Sequence, residues 1–190
     1  GTEKVEDYVK SVFPEAKVLR MDADTTKNKG AHEKLLDQFA NGEADILVGT
    51  QMIVKGHDFA NVTLVGVIAA DLTLFENDYK SAEKTFNLLT QAAGRAGRGE
   101  LPGEVVIQTY DPKHYSVVTA KNQDYEAFYT EEKAYRKILS YPPFTNVLVV
   151  YMENDDYQEL VKLSDELKVS LTKWGTSNKV NIIGPCDATI

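Results

Sequence analysis

The sequence predicts an α/β fold built on a parallel sheet, followed by a partial small α/β domain. Two observations predict it. Short, strongly apolar runs alternate with amphipathic stretches of helical period, and one of the runs is too apolar to be exposed on one face. Strands that alternate with helices form parallel sheets, because each helix carries the chain back across the sheet. The predicted strands of this first part cover residues 17–21, 45–49, 62–69 and 103–109.

The predicted helices of the first part each carry an apolar stripe. They cover residues 3–12, about 30–41, and 81 to about 93. The second helix is predicted to stop at Asn41-Gly42, since glycine is common just after a helix end.

The region that follows residue 112 changes character. We predict a helical connector over 113–145, with a boundary near the double proline Pro142-Pro143. Tyrosines within it could stack on bases, but a helical interface is the favoured interpretation. A strand at 146–152, a helix from 156 to about 174 and a strand at 179–184 then make one β-α-β unit, the partial C-terminal α/β domain of residues 146–190.

Composition excludes several classes of protein. No apolar run approaches the roughly 18 residues that a membrane-spanning helix needs. The single cysteine, Cys186, excludes an internal disulfide, and we expect a cytoplasmic protein. The net charge is −8, and residues 1–112 carry 12 Lys/Arg against 18 Asp/Glu. Contacts with DNA must therefore be local, because neither half is basic overall.

The most informative motif covers residues 91–98. It places Gln91, Arg95 and Arg98 at i, i+4 and i+7, which share one face of a helix, with only alanine and glycine between them. Two guanidinium groups on such a surface suit multidentate binding of phosphate. The pattern Q-x-x-G-R-x-G-R resembles motif VI of superfamily 2 helicases. A surface helix with solvated arginines is the alternative.

A second motif runs from Gly49 to Phe59 and begins where a predicted strand ends, which is where α/β sheets place ligand loops. Thr50 and Gln51 could hydrogen-bond a nucleic-acid phosphate beside the Gly49 backbone. Asp58 offers an acceptor for a ribose hydroxyl or an ordered water. An ordinary strand–loop with a helix N-cap at Thr50 is equally consistent with this stretch alone.

The order of the two motifs decides between these alternatives. The second motif resembles helicase motif V, and a strand and a helix separate it from motif VI, as a RecA-like second lobe requires. Residues 1–112 are therefore predicted to be a RecA-like helicase C-terminal lobe. With Arg20–Thr26, Tyr141–Phe144 and Ile183–Pro185, the whole chain resembles the primosomal protein N′ (PriA-like) family, the bacterial replication-restart helicases.

The resemblance implies an ATP-dependent 3′-5′ DNA helicase that restarts replication at stalled forks. Arg95 and Arg98 would contact the ATP phosphates beside Gln91, and Gly56 and Asp58 would line the nucleotide side of motif V. The implied DNA contacts are Thr50, Gln51 and Lys55. The implied partners are forked DNA with single-strand/duplex junctions, other primosome proteins and the first helicase lobe.

The resemblance also implies a division of labour within a longer protein. No G-x-x-x-x-G-K-[ST] and no D-E-x-H/D box occurs in the 190 residues, so ATP and Mg²⁺ would be bound mainly by the first lobe. The family's zinc module would likewise lie upstream. We expect this chain alone to bind none of these groups and to be inactive.

Three alternatives stay open at this stage. The chain could be another superfamily 2 helicase or translocase lobe, such as a RecG-like one, or a RecA-like module that binds without catalysis. Asp22 and Asp24, two residues apart, could hold a divalent ion, although Thr25-Thr26 favours a capped loop. No metal site is therefore predicted.

Overall fold

The computed structural model describes residues 1–28, 30–54, 59, 61–76, 78–97 and 101–187. The chain divides into two compact units, Gly1–Leu139 and Ser140–Ile190. The boundary falls next to the double proline that the sequence predicted to interrupt the chain. The domain limits that were predicted at 112 and 145 stay a prediction.

The first unit contains four short strands and six helices among its described residues. The strands are β1 (Val18–Met21), β2 (Ile46–Gly49), β3 (Leu64–Val67) and β4 (Glu104–Ile107). The helices are α1 (Thr2–Val12), α2 (Ala31–Ala40), α3 (Asp71–Leu74), α4 (Ser81–Ala93), α5 (Tyr115–Lys121) and α6 (Tyr125–Ile138). A 3₁₀ turn at Gln51–Val54, called the 51–54 turn below, follows β2. Each predicted strand and helix of residues 1–112 is present, and the strands are shorter than predicted.

The strands pair in parallel, as the alternation of strands and helices predicted. β1 pairs with β2, with Val18 opposite Ile46. β3 pairs with β4, with Leu64 opposite Glu104. Among the described residues the pairing forms two separate two-stranded sheets. The mixed α/β architecture with parallel strands is therefore confirmed.

Two hydrophobic clusters hold the first unit together. One packs Met21 of β1 and Leu36 of α2 together with Phe59, the last residue of the motif V stretch. The other joins the face of α4 to α5 and α6, and the rings of Phe86 and Phe128 stack in it with centroids 4.2 Å apart. Burial of this kind is the dominant favourable contribution to folding.

The 62–69 strand is less buried than its composition predicted. Val67 and Ile107 pack against the cluster around Phe86, but Leu64 is 60% exposed and Val106 is 52% exposed. Side chains alternate between the two faces of a strand, and the described helices cover only one face of this pair. The expectation of burial on both faces was therefore wrong for β3.

The first residue of the motif V stretch is a glycine for a steric reason. A Cβ at Gly49 would lie 2.5 Å from the carbonyl oxygen of Met21 and 2.7 Å from Cγ2 of Ile53. β1 and the 51–54 turn therefore leave no room for a side chain at this position.

Gly49→Ala is expected to destabilise the chain by about 1–3 kcal/mol, because the partner strand must move to admit a methyl group. Gly66→Ala is the matched control, since a Cβ at that strand glycine meets nothing within 4 Å. Urea unfolding of both variants measures the difference. Equal losses would mean that the contact with β1 does not limit the residue at 49.

Helices α5 and α6, which the sequence analysis assigned to a connector, belong to the first unit. α5 lies along α4, and buried Ser116, Val117 and Ala120 face it. The ring of Tyr115 stacks between Phe128 and the ring of Tyr135, with centroids 5.8 and 5.2 Å away. These rings pack among helices of the first unit, and the predicted helical interface between the lobe and the C-terminal region stays a prediction.

The second unit contains one regular element among its described residues, helix α7 (Tyr157–Asn178). Asp156 caps its start by accepting hydrogen bonds from the backbone of Gln158 and Glu159. The predicted strands at 146–152 and 179–184 are not formed. An extended segment becomes a strand only when a neighbour pairs its backbone groups, and no described residue pairs with these two segments.

Candidate functional site: the ends of β2 and α4

The side chains in the last turns of α4, where motif VI begins, differ in their burial. Leu89 and Ala92 are buried at 0% and 2% exposure and anchor the helix, whereas Gln91 is exposed. Arg95 follows the helix in a turn and is partly buried, and its backbone N–H donates to the carbonyl oxygen of Ala92. Arg98 lies outside the described residues.

The turn after α4 is fixed by a close approach of two glycines. The N–H of Gly97 donates to the carbonyl oxygen of Val62 at 3.0 Å, and its φ is +73°. A Cβ at Gly97 would lie 2.7 Å from the nitrogen of Gly103, and one at Gly103 would lie 2.2 Å from the nitrogen of Gly97. The glycine between the two motif VI arginines is therefore required by the backbone itself.

The described part of motif V lies at the end of β2. Thr50 and Gln51 are exposed there, and the 51–54 turn contacts α4. The structure thus brings the described part of motif V against the helix that leads into motif VI. Lys55, Gly56 and Asp58 lie outside the described residues, so their predicted roles stay predictions.

The side chain of Asp22 stabilises the turn that follows β1. Its Oδ1 accepts hydrogen bonds from the backbone N–H groups of Asp24 and Thr25 at 3.0 and 2.9 Å. Its Oδ2 accepts from the hydroxyl of Thr2 at 2.6 Å and lies 3.3 Å from Nε of Arg20. These hydrogen bonds, that of Thr2 above all, lower the pKa of Asp22 to about 2. The carboxylate is thus a structural cap.

Asp22→Asn is expected to reduce stability only where the native carboxylate is ionised. The folded pKa of about 2 lies below the ordinary value of 3.8, so the stabilisation is present above pH 3.8 and is lost as the pH falls through about 2. The free energy of unfolding, measured from pH 7 to pH 2, should converge for the two proteins in acid. Asp24→Asn, at a side chain 75% exposed, is the control. A difference that persists at pH 2 would contradict this account.

Asp71 is a structural residue that the sequence reasoning missed. It is 3% exposed and is the first residue of α3, shortly after the end of β3. Its carboxylate accepts from the hydroxyl of Thr109 at 2.6 Å and from the N–H of Tyr110 at 2.9 Å, both just after β4. The hydrogen bond from Thr109, followed by those from the backbone, lowers its pKa. The sequence feature that could have predicted this role is an acidic residue shortly after an apolar strand.

The described residues contain neither a candidate metal site nor a candidate membrane span. In that part of the chain no group of three or more His, Cys, Asp or Glu residues is arranged to hold a metal ion. None of its helices has the length and apolar character needed to cross a membrane.

Comparison with known proteins identifies the family. Residues 1–100 match the helicase conserved C-terminal domain. All 190 residues are 50% identical to replication restart protein PriA of Bacillus subtilis (strain 168) and 46% identical to that of Synechocystis sp.. PriA of Chlamydia pneumoniae is 42% identical over 98% of the chain. The chain spans 24%, 23% and 25% of these three relatives, about a quarter of their length.

The match and the α/β fold together define a class, the C-terminal lobe of a helicase. The chain belongs to the helicase conserved C-terminal domain family. Within that class its relatives are replication restart proteins PriA, and the resemblance that was predicted from the motifs is confirmed.

Proposed function

We propose that this chain is the second lobe, with part of the C-terminal domain, of an ATP-dependent 3′-5′ DNA helicase that restarts replication at stalled forks. The observation that carries the proposal is that helix α4, whose last turn holds Gln91 and which Arg95 follows, contacts the turn that comes after Thr50. The contact between α4 and the 51–54 turn can thus link a nucleotide site to a DNA contact. The match over the whole chain favours a PriA-like lobe over a RecG-like one or a non-catalytic module.

The residue types fit a triphosphate. Arg95 and Arg98 supply only hydrogen-bond donors with fixed positive charge, and Gln91 adds an amide, so the set suits phosphate oxygens. As ATP is cleaved, charge builds on the γ-phosphate oxygens, and a guanidinium placed there stabilises that charge. ATP with Mg²⁺ is held mainly by the first lobe, where Mg²⁺ screens the phosphates. The family's zinc lies in an upstream module.

The DNA side of the lobe acts without a basic surface. Thr50, Gln51 and Lys55 contact the phosphates of a strand through a few hydrogen bonds and one charge. Gly56 and Asp58 would line the nucleotide side of motif V, as the family resemblance implies. Closure of the two lobes on ATP therefore changes the position of the DNA contacts, which couples hydrolysis to movement along the strand. Forked DNA, the first lobe and other primosome proteins are the partners.

The test compares the 190-residue chain with the longer protein of which we propose it is part. The longer protein should hydrolyse ATP faster when fork DNA is added, whereas the chain alone should turn over no ATP above the buffer background. Turnover by a pure sample of the chain, or a longer protein that never hydrolyses ATP, would overturn the proposal.

A further inference from the structure

A chain of partly buried polar contacts joins α6 to α4. The hydroxyl of Tyr115 donates to Oε2 of Glu132 at 2.5 Å, and Nε of Arg136 donates to Oε1 of Glu132 at 2.7 Å. Nη2 of Arg136 donates to Oε2 of Glu83, on α4, at 2.6 Å. The guanidinium also lies over the ring of Tyr79, 5.3 Å from its centroid.

The burial of this network makes it more than a surface ion pair. The side chains of Glu132 and Arg136 are only 10% and 14% exposed, and Arg136 bridges two carboxylates, of which that of Glu83 is 43% exposed. Although burial acts to lower the pKa of Arg136, the hydrogen bonds to Glu132 and Glu83 raise it. Planar guanidinium groups bridging carboxylates in this way fix direction as well as distance.

The network holds the helix that ends in motif VI. Glu83 lies in the first turn of α4, and Phe86 and Leu89 are clamped farther along the same helix. Gln91 follows Glu83 by eight residues, or about 12 Å at 1.5 Å per residue. Because a helix is stiff over this length, a rotation at Glu83 moves Gln91 with it, and the turn that holds Arg95 is tied to the end of the helix by the hydrogen bond from Arg95 to Ala92.

We propose that Glu83 and Arg136, supported by Glu132, are positioning residues for the ATP site, fixing the axial rotation of α4 so that the motif VI side chains reach the phosphates. The inference rests on the proposed function, because it assigns a consequence to the position of Arg95. A misplacement of 1 Å in a catalytic group can cost about 10²-fold in rate. Loss of the tie should therefore lower kcat without a matching change in the KM for ATP.

The experiment uses the longer protein, with DNA-stimulated ATP hydrolysis measured well below each variant's melting temperature. Glu83→Ala should lower kcat about tenfold, with KM and fork-DNA affinity within about twofold. Glu83→Gln keeps an oxygen that can accept from Arg136 and should restore most of the rate. Lys84→Ala is the matched control on the same helix, because that side chain pairs with Glu76 and Asp78 outside α6.

Arg136→Met is the stronger variant and should lower kcat further, but it leaves Glu132 buried without its cation. If Arg136→Met fails to fold, the kcat of Glu83→Ala alone tests the positioning role. An unchanged kcat in Glu83→Ala, or an equal loss in Lys84→Ala, overturns the positioning role. Arg95→Ala and Arg98→Ala, measured in parallel, separate the two claims. If both variants keep their activity, the proposed function has failed, and if either is inactive while Glu83→Ala is fully active, only the positioning role has failed.

Discussion

Arg95→Ala and Arg98→Ala, each made in the longer protein, are expected to lower kcat for DNA-stimulated ATP hydrolysis by about 10³-fold or more. The reason is electrostatic. A guanidinium directed at the γ-phosphate is worth most when charge develops on the transferred group, so its loss affects the transition state more than the binding of ATP. Steady-state kinetics at saturating fork DNA measure the change, and circular dichroism checks the fold.

Two control variants separate chemistry from binding. Replacing either arginine by lysine keeps the charge but loses the planar fork, and it should recover only part of the rate. Thr50→Ala should instead weaken fork-DNA affinity, because that side chain is proposed to contact a phosphate. Arginine variants that lose DNA affinity and hydrolysis together would indicate a structural defect, and hydrolysis that survives both substitutions would remove the motif from the ATP site.

Gly97→Ala is expected to destabilise the chain by about 3 kcal/mol. Two costs combine. A residue with a side chain pays about 1–2 kcal/mol to adopt left-handed backbone angles, and the new methyl group would meet the backbone of Gly103. Since Gly97 also donates to Val62, the turn cannot move away without losing that hydrogen bond. In the longer protein the same variant should lose hydrolysis, because Arg95 and Arg98 flank the turn.

Gly42→Ala is the matched control for this prediction. Its φ of +74° equals that of Gly97 to within a degree, but a Cβ there meets nothing within 4 Å. The difference between the two variants in urea unfolding isolates the close approach to Gly103. If Gly97→Ala costs no more than Gly42→Ala, the backbone contact does not constrain motif VI.

The local structure of the first unit could be predicted from the sequence because each signal is short-range. The limits of α4, residues 81–93, follow from an apolar stripe, and β1 and β2 follow from short runs of aliphatic residues. The placement of motif V at a strand end followed from the same patterns. The expectation that Arg95 shares a helix face with Gln91 was wrong, because α4 ends at Ala93 and Arg95 lies in the turn that follows.

The remaining features depend on contacts between residues that are distant in sequence. The carboxylate of Asp71 is bound by residues after β4, and Glu83 meets Arg136 across 53 positions. Neither contact leaves a periodic signal. The strand predicted at 146–152 is wrong for the related reason that its partner, and not its composition, decides whether it forms. Similarly, the close approach of Gly97 and Gly103 is a backbone contact that no side-chain pattern in the sequence marks.

The most direct test of the account is single-turnover hydrolysis of ATP by the longer protein at saturating fork DNA, comparing wild type with Arg95→Ala and Arg98→Ala. This measurement isolates bond cleavage from product release. We predict a rate constant at least about 10³-fold lower in at least one arginine variant, with the affinity for ATP and for fork DNA nearly unchanged. Wild-type rate constants in both variants would contradict the assignment of this lobe as half of an ATPase site.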